Sequence, residues 1–296
     1  VERATLGSGG RKAVGVRVSP LALWDTRVAL TDPGADDATM MLPPTRVTRS
    51  QDGLDIAYQV FGDGPDLVFV HRYVSTIGYM WDVPPFARFL DRLGETCRVL
   101  ALDPRGAGLS DRTLPSSQFA LEARMLDLLA VMDAESIEHA SFLGAEDGGS
   151  LSALFAASHP QRVDRLILHA TYARGEFAED YPFPKPGGWD AFIDEGEQRW
   201  GTEWMDEQAR DIAPSASEDP DVRRRIINLY RLGATRATAV KVWAVARDLD
   251  IRSVLPTIQA PTLVLHPMNA TEDSLGPPEQ SRYLADQIPD ARYVEV

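Results

Sequence analysis

Cysteine is almost absent from this chain of 296 residues: Cys97 stands alone. One thiol excludes an intramolecular disulfide and any metal site built on several cysteines. Cys97 borders a strand-like run and reads as a small buried apolar residue. The sequence also lacks any run approaching the ~20 apolar residues of a membrane span. No basic segment followed by an apolar stretch opens the chain, so no secretory signal is read; a cytoplasmic protein without a membrane partner is expected. Basic charge is short as well. Thirty Lys and Arg face 44 Asp and Glu, for a net charge of −14. No nucleic-acid partner is expected, because phosphate binding needs a basic face, and the one basic run, Arg223-Arg224-Arg225, reads as a solvated helix face. The five histidines show no H-x-x-H spacing, so no metal is expected, and no motif asks for a cofactor. No internal repeat is visible.

What is present falls into segments. Residues 1–41 are rich in Gly, Arg, Ala and Asp without periodicity and read as a disordered leader; Met40-Met41 at its end would suit a later start of translation. Arg46 to Arg49 and Leu54 to Phe61 alternate with period two around the turn signal Gln51-Asp52-Gly53, which predicts a hairpin. Asp66 to His71 is nearly all apolar, the mark of a strand buried on both faces. Helical spacing follows over Pro85 to Leu93, then a strand over Cys97 to Asp103. Leu121, Met125, Leu128, Leu129 and Met132 predict a helix, Ala140 to Leu143 a strand, and Arg165 to His169 another. Strands alternating with helices predict an α/β fold with a mostly parallel sheet and helices on both faces. Residues 172–256 break the alternation. They are helical and tryptophan-rich, with Trp189, Trp200 and Trp243, and read as an inserted helical cap. The core is therefore expected in two parts, 42–171 and 257–296. The second part holds a strand over Pro261 to His266, a helix over Pro278 to Gln287 and a last strand over Ala291 to Val296.

One stretch organises the rest. Leu143-Gly144-Ala145-Glu146-Asp147-Gly148-Gly149 joins a strand to a helix through small residues, the setting of a nucleophile elbow. The middle position of such a turn ordinarily carries Ser, Cys or Asp; here it is Glu146. A register one residue later would put Asp147 there. The plainer reading is that Glu146 and Asp147 cap the following helix, where acidic residues are favoured.

With Asp103-Pro104-Arg105-Gly106-Ala107-Gly108-Leu109-Ser110-Asp111 before the elbow, and the insertion and Pro261 to His266 after it, the chain resembles the α/β-hydrolase family from about Thr45 to Val296. Ile56 to Val60, Pro84 to Leu90, Val131 to Ala134 and Phe155 to Ala157 resemble more narrowly the hydrolase-like domains that precede adenylyl or guanylyl cyclase or regulator domains in actinobacteria. The resemblance implies an α/β-hydrolase fold, a small-molecule ligand or substrate, and a fused or adjacent effector domain. It also implies roles. Glu146 holds the nucleophile position; relatives such as epoxide hydrolases and haloalkane dehalogenases use Asp there. His71-Arg72-Tyr73 forms the oxyanion turn, with the backbone N–H groups of Tyr73 and Asp147 as donors. Arg72 replaces a glycine, and its guanidinium is expected to pair with Glu146. Glu272 or Asp273 would hold the acid position. The family's histidine and closing helix lie beyond the last strand. These residues are accordingly read as a piece of a longer chain, with the final helix missing and the histidine past Val296. His71 and His266, at C-terminal strand ends, are expected to line the pocket, as are Trp189 and Trp243 of the insertion.

The main expectation is a degenerate hydrolase, a pseudoenzyme that binds a small molecule or acts as a regulator. The alternative is an active ester or epoxide hydrolase with a carboxylate nucleophile. A purely structural module would leave the insertion without a use. Oligomeric state is not legible.

Overall fold

A computed structural model of the chain describes residues 42–213, 216–268 and 277–296. The expected leader with Met40-Met41, and both acid-position residues, Glu272 and Asp273, lie outside the described residues. No described helix is long and apolar enough to cross a membrane.

The alternating segments form the expected hairpin, β1 (Arg46–Arg49) and β2 (Asp55–Phe61). The strands β3 (Asp66–Val70), β4 (Arg98–Leu102), β5 (Ala140–Ala145), β6 (Val163–His169), β7 (Thr262–His266) and β8 (Arg292–Glu295) complete one eight-stranded sheet in the order β1-β2-β4-β3-β5-β6-β7-β8. β2 pairs antiparallel with β4, and every later pairing is parallel. Period two sorts the strand side chains into two layers. Leu67, Phe69, Val99 and Ala101 face α2 (Pro84–Gly94) and part of the insertion. Val68, Val70, Leu100 and Leu102 face α3 (Leu121–Ala134), α4 (Asp147–Ser158) and α9 (Pro278–Gln287). A short helix that the sequence did not suggest, α1 (Ile77–Met80), follows β3.

The turn after β4 is held by its own motif. The Asp103 carboxylate accepts from the backbone N–H groups of Ile77 at 2.8 Å and Leu109 at 2.9 Å, and from Thr76 Oγ1 at 3.1 Å. Gly108 has φ +50°, and a Cβ there would lie 1.9 Å from Asp103 Oδ2, so only glycine fits. Arg105 is completely buried, with Nη2 2.7 Å from Asp127 of α3 and Nη1 2.6 Å from Asp52 in the hairpin turn. Two carboxylates offset the cost of desolvating that guanidinium. Ser110 Oγ donates to the Asp103 carbonyl at 2.6 Å and accepts from Ala57 N at 2.9 Å, tying the turn to β2.

Between β6 and β7 the chain adds α5 (Gly188–Arg199), α6 (Trp204–Ile212), α7 (Pro220–Gly233) and α8 (Arg236–Asp248). Their starts are encoded locally. Asp219 accepts from the backbone N–H of Asp221 at 2.8 Å with Pro220 in the first turn, and Thr235 Oγ1 accepts from Thr238 N at 3.1 Å. Aromatic rings hold the insertion together. Trp243 lies 4.8 Å from Phe192, 5.8 Å from Trp200 and 5.9 Å from Trp204, centroid to centroid. The basic run sits on α7 and does more than meet solvent: Arg223 pairs with Asp206 of α6 at 2.8 Å, and Arg225 donates to the Asp82 carbonyl of the core at 2.8 Å.

Candidate functional site

β5 ends at Ala145 and α4 begins at Asp147, leaving Glu146 alone at the junction with φ 54° and ψ −121°. This is a sparsely populated backbone state for a residue with a side chain, of the kind that functional turns hold under strain. The neighbours explain how it persists. A Cβ on Gly148 would lie 2.3 Å from the Val70 carbonyl oxygen, and one on Gly144 would lie 2.5 Å from Gly149 Cα. The Glu146 N–H donates to the His169 carbonyl at 2.9 Å. The residue that carries the strained backbone at this junction is therefore Glu146, not Asp147. The capping reading holds in position, with Glu146 at the N-cap of α4 and Asp147 in its first turn, where acidic residues are favoured; Glu146 makes no side-chain cap bond, and each carboxylate meets an arginine.

Arg72 Nη2 lies 3.2 Å from Glu146 Oε2, as the pairing expectation had it. Nη1 donates to the hydroxyl of Tyr230 on α7 at 2.8 Å, and the guanidinium sits 5.1 Å from that ring's centroid. Burial works against the Arg72 charge, but Glu146, then Tyr230 and Asp147, outweigh it and hold its pKa above the usual arginine value. Burial raises the Glu146 carboxyl; Arg72 pulls it down, Asp147 pushes it up, and the result stands above the ordinary glutamate value.

Asp147 turns the other way. Its Oδ1 accepts from the Tyr73 backbone N–H at 3.1 Å, and its Oδ2 lies 3.2 Å from Arg124 Nη2 of α3. This corrects the expected oxyanion arrangement, since the Tyr73 amide is already engaged by a carboxylate of the same chain. Arg124 is 3% exposed and lies over the Tyr73 ring at 4.5 Å, while the Tyr73 hydroxyl donates to the Arg105 carbonyl. Tyr172, just past β6, is held well above its ordinary pKa by burial, then by Asp147 and Glu146. Its ring meets Trp189 at 6.4 Å.

The remaining candidates separate. His71 is buried with Nε2 2.8 Å from the Leu102 carbonyl and Nδ1 2.6 Å from Ser75 Oγ, which ties the turn after β3 to β4, and it lines a small cavity with Arg124, Asp127 and Leu151. His266 Nδ1 lies 3.1 Å from Ser281 Oγ of α9, within the helix layer, and burial lowers its pKa. Trp189 borders Tyr172, whereas Trp243 belongs to the aromatic core of the insertion: a Cβ on Gly196 would lie 2.4 Å from its ring. Sequence reasoning missed Arg124, Tyr172 and Tyr230 as members of this cluster. A signal existed for Arg124, which falls three residues after Leu121 and four before Leu128, on the buried face of α3. Among the described residues, no group of three or more His, Cys, Asp or Glu is placed to hold a metal ion.

A strained strand-to-helix junction on a mostly parallel sheet, facing a turn at the end of β3, defines a fold family, and a family model described as alpha/beta hydrolase fold matches residues 67–296. The chain belongs to the alpha/beta hydrolase fold family. An uncharacterized protein of Mycobacterium tuberculosis is 33% identical over 127 residues, 43% of this chain and 35% of the relative. The match thus spans about a third of that relative's length. RutD of Yersinia enterocolitica, which bears the name of a carbamate hydrolase, is 27% identical over 214 residues, 70% of this chain and 72% of its own. Among solved structures, the esterase EaEST from Exiguobacterium antarcticum superposes with a TM-score of 0.73 at 22% identity, over 85% of this chain and 90% of its own. The enol-lactonase from Burkholderia xenovorans does so with 0.69 at 24%, over 85% and 91%. At such identities the structures speak to the fold.

Proposed function

We propose that this hydrolase-fold chain is a pseudoenzyme that binds a small apolar or ester-like molecule at the Glu146 elbow. The helices between β6 and β7 serve as its cap, and occupancy is passed to a fused or adjacent effector. The observation that carries this reading is the Asp147 carboxylate on the Tyr73 amide at 3.1 Å. Acyl transfer needs that donor free for negative charge developing in the transition state. Here the place holds negative charge before any substrate arrives, and Glu146 adds more beside it. Glu146 is also ion-paired with Arg72 at 3.2 Å. Its side chain is one methylene longer than the Asp of carboxylate-nucleophile relatives, and misplacing a reacting atom by about 1 Å is costly.

The test is turnover of ester, lactone, carbamate and epoxide panels by the wild type and by Glu146→Gln, together with melting temperatures in the presence of the same compounds. The expected result is no turnover above the uncatalysed rate in either protein, with ligand-dependent rises in melting temperature. Hydrolysis by the wild type that Glu146→Gln abolishes would overturn the reading in favour of a carboxylate nucleophile, the alternative that the retained elbow strain at φ 54° supports.

A further inference from the structure

Arg72 is held unequally on its two sides. Its bond to Tyr230 is 2.8 Å, while its approach to Glu146 is 3.2 Å. Charge-assisted N–H···O⁻ bonds ordinarily close to about 2.7–2.9 Å, and arginine binds carboxylates best as a two-bond fork. The elbow's strained backbone fixes where Glu146 starts, and the carboxylate approaches the guanidinium without closing on it. Both side chains reach solvent, Arg72 at 21% and Glu146 at 15% exposure. An arginine gripped by the insertion, loosely met by its internal carboxylate and open to solvent, is a carboxylate site with a poor occupant.

We infer that the elbow takes a small monocarboxylate, which forks on the Arg72 guanidinium in place of Glu146 and lays its apolar tail against Tyr172 and Trp189. This rests on the non-catalytic reading above and gives that site its ligand class. Tyr172 is close enough to Glu146 and Arg72 to feel both charges, and its ring meets that of Trp189 at 6.4 Å, both half-buried. The exchange balances. One carboxylate enters, Glu146 takes one proton from solvent, and no covalent bond to carbon changes. The groups facing Glu146 make protonation the favoured response. Arg72 comes from the turn after β3, Asp147 from α4, Tyr230 from α7 and Tyr172 from the segment after β6, with Arg124 of α3 behind Asp147. Once Arg72 turns to the ligand, burial and the Asp147 charge are left acting on Glu146, and both already push its pKa up.

The experiment is isothermal titration calorimetry of the whole chain with linear alkanoates of four to eight carbons, phenylacetate and the matching amides, in two buffers of different ionisation enthalpy. Carboxylates are expected to bind with uptake of up to one proton, and more tightly as pH falls. Amides are expected to bind at least about tenfold more weakly. Glu146→Gln should bind the carboxylates more tightly and without proton uptake. Arg72→Lys, which keeps the charge but loses the fork, should weaken them about tenfold or more, with circular dichroism checking that it folds. Amides binding as well as acids, no carboxylate binding up to millimolar concentration, or proton uptake that persists in Glu146→Gln each overturn the inference. Hydrolysis of the amides, or of the corresponding esters, would instead strike the non-catalytic reading beneath it.

Discussion

Glu146 holds a backbone conformation that glycine adopts more cheaply than any other residue. Both Glu146→Gly and Glu146→Ala remove the carboxylate, so comparing them isolates the backbone. The glycine variant is expected to be the more stable by about 1–2 kcal/mol in urea denaturation, the reverse of the order in a helix interior. Next door, Asp147 neutralises an arginine that is 3% exposed and whose Nε has no partner among the described residues. Asp147→Asn keeps the shape and removes the charge, and is expected to cost about 2–3 kcal/mol. Its combination with Arg124→Met should cost less than the two single changes added. His169 supplies a pH dependence. Burial, then the nearby His266, depress its pKa to about 4 from an ordinary 6.5. A depressed histidine stabilises the folded state above its unfolded pKa and loses that contribution as pH falls, here between 6.5 and about 4. The amount is about 3 kcal/mol, and His169→Gln should flatten the stability profile over that window. Glu146, with its pKa raised, works in the opposite sense: its share is present at low pH and lost as pH rises through its folded value.

Among the elements, β3, β5, α4 and α7 meet around the elbow, and their closeness depends on missing side chains. Gly148 lets α4 reach the end of β3, and Gly233 lets α7 reach the turn beyond it, where a Cβ would lie 2.7 Å from the Ser75 backbone. Gly148→Ala is expected to cost about 2–3 kcal/mol by overpacking. Gly188→Ala, whose Cβ would meet only Lys185 at an ordinary 3.4 Å, should stay within about 0.5 kcal/mol; thermal melts compare the two. These elements were legible because their signals are periodic and local: the alternation of β2, the apolar run of β3, and Pro278 opening α9, whose expected span is the observed one. The first turn of α4 was less so, since Asp147-Gly148-Gly149 has low helix propensity and is held by strand contacts. α1 has four residues, too few for a period to show. The Arg72–Glu146 pair was legible because both positions flank recognisable turns. Tyr230 was not, because it lies 158 residues from Arg72 and only the packing of α7 against the turn after β3 brings the two together.

At the scale of the whole molecule, the sheet and the helices after β6 are joined by specific bonds as well as apolar packing. Gly108 N donates to the Gly233 carbonyl at 2.8 Å, Lys241 Nζ to the Leu114 carbonyl at 3.1 Å, and Arg225 to Asp82. The charge balance of −14 surrounds a site whose own arginines and carboxylates offset one another, so salt should alter the rate of anion entry more than the affinity at Arg72. The aromatic rings of the insertion carry a last consequence, an optical one. Trp200, Trp204 and Trp243 form two ring pairs with centroids within 6 Å. Indoles so close couple their transitions and exchange energy before emitting, so the near-ultraviolet dichroism of the protein should carry a contribution from this one region. Loosening of α5, α6 or α8 would then register as loss of the coupled indole signal while the dichroism of the sheet persists, and the chain carries its own label for that motion.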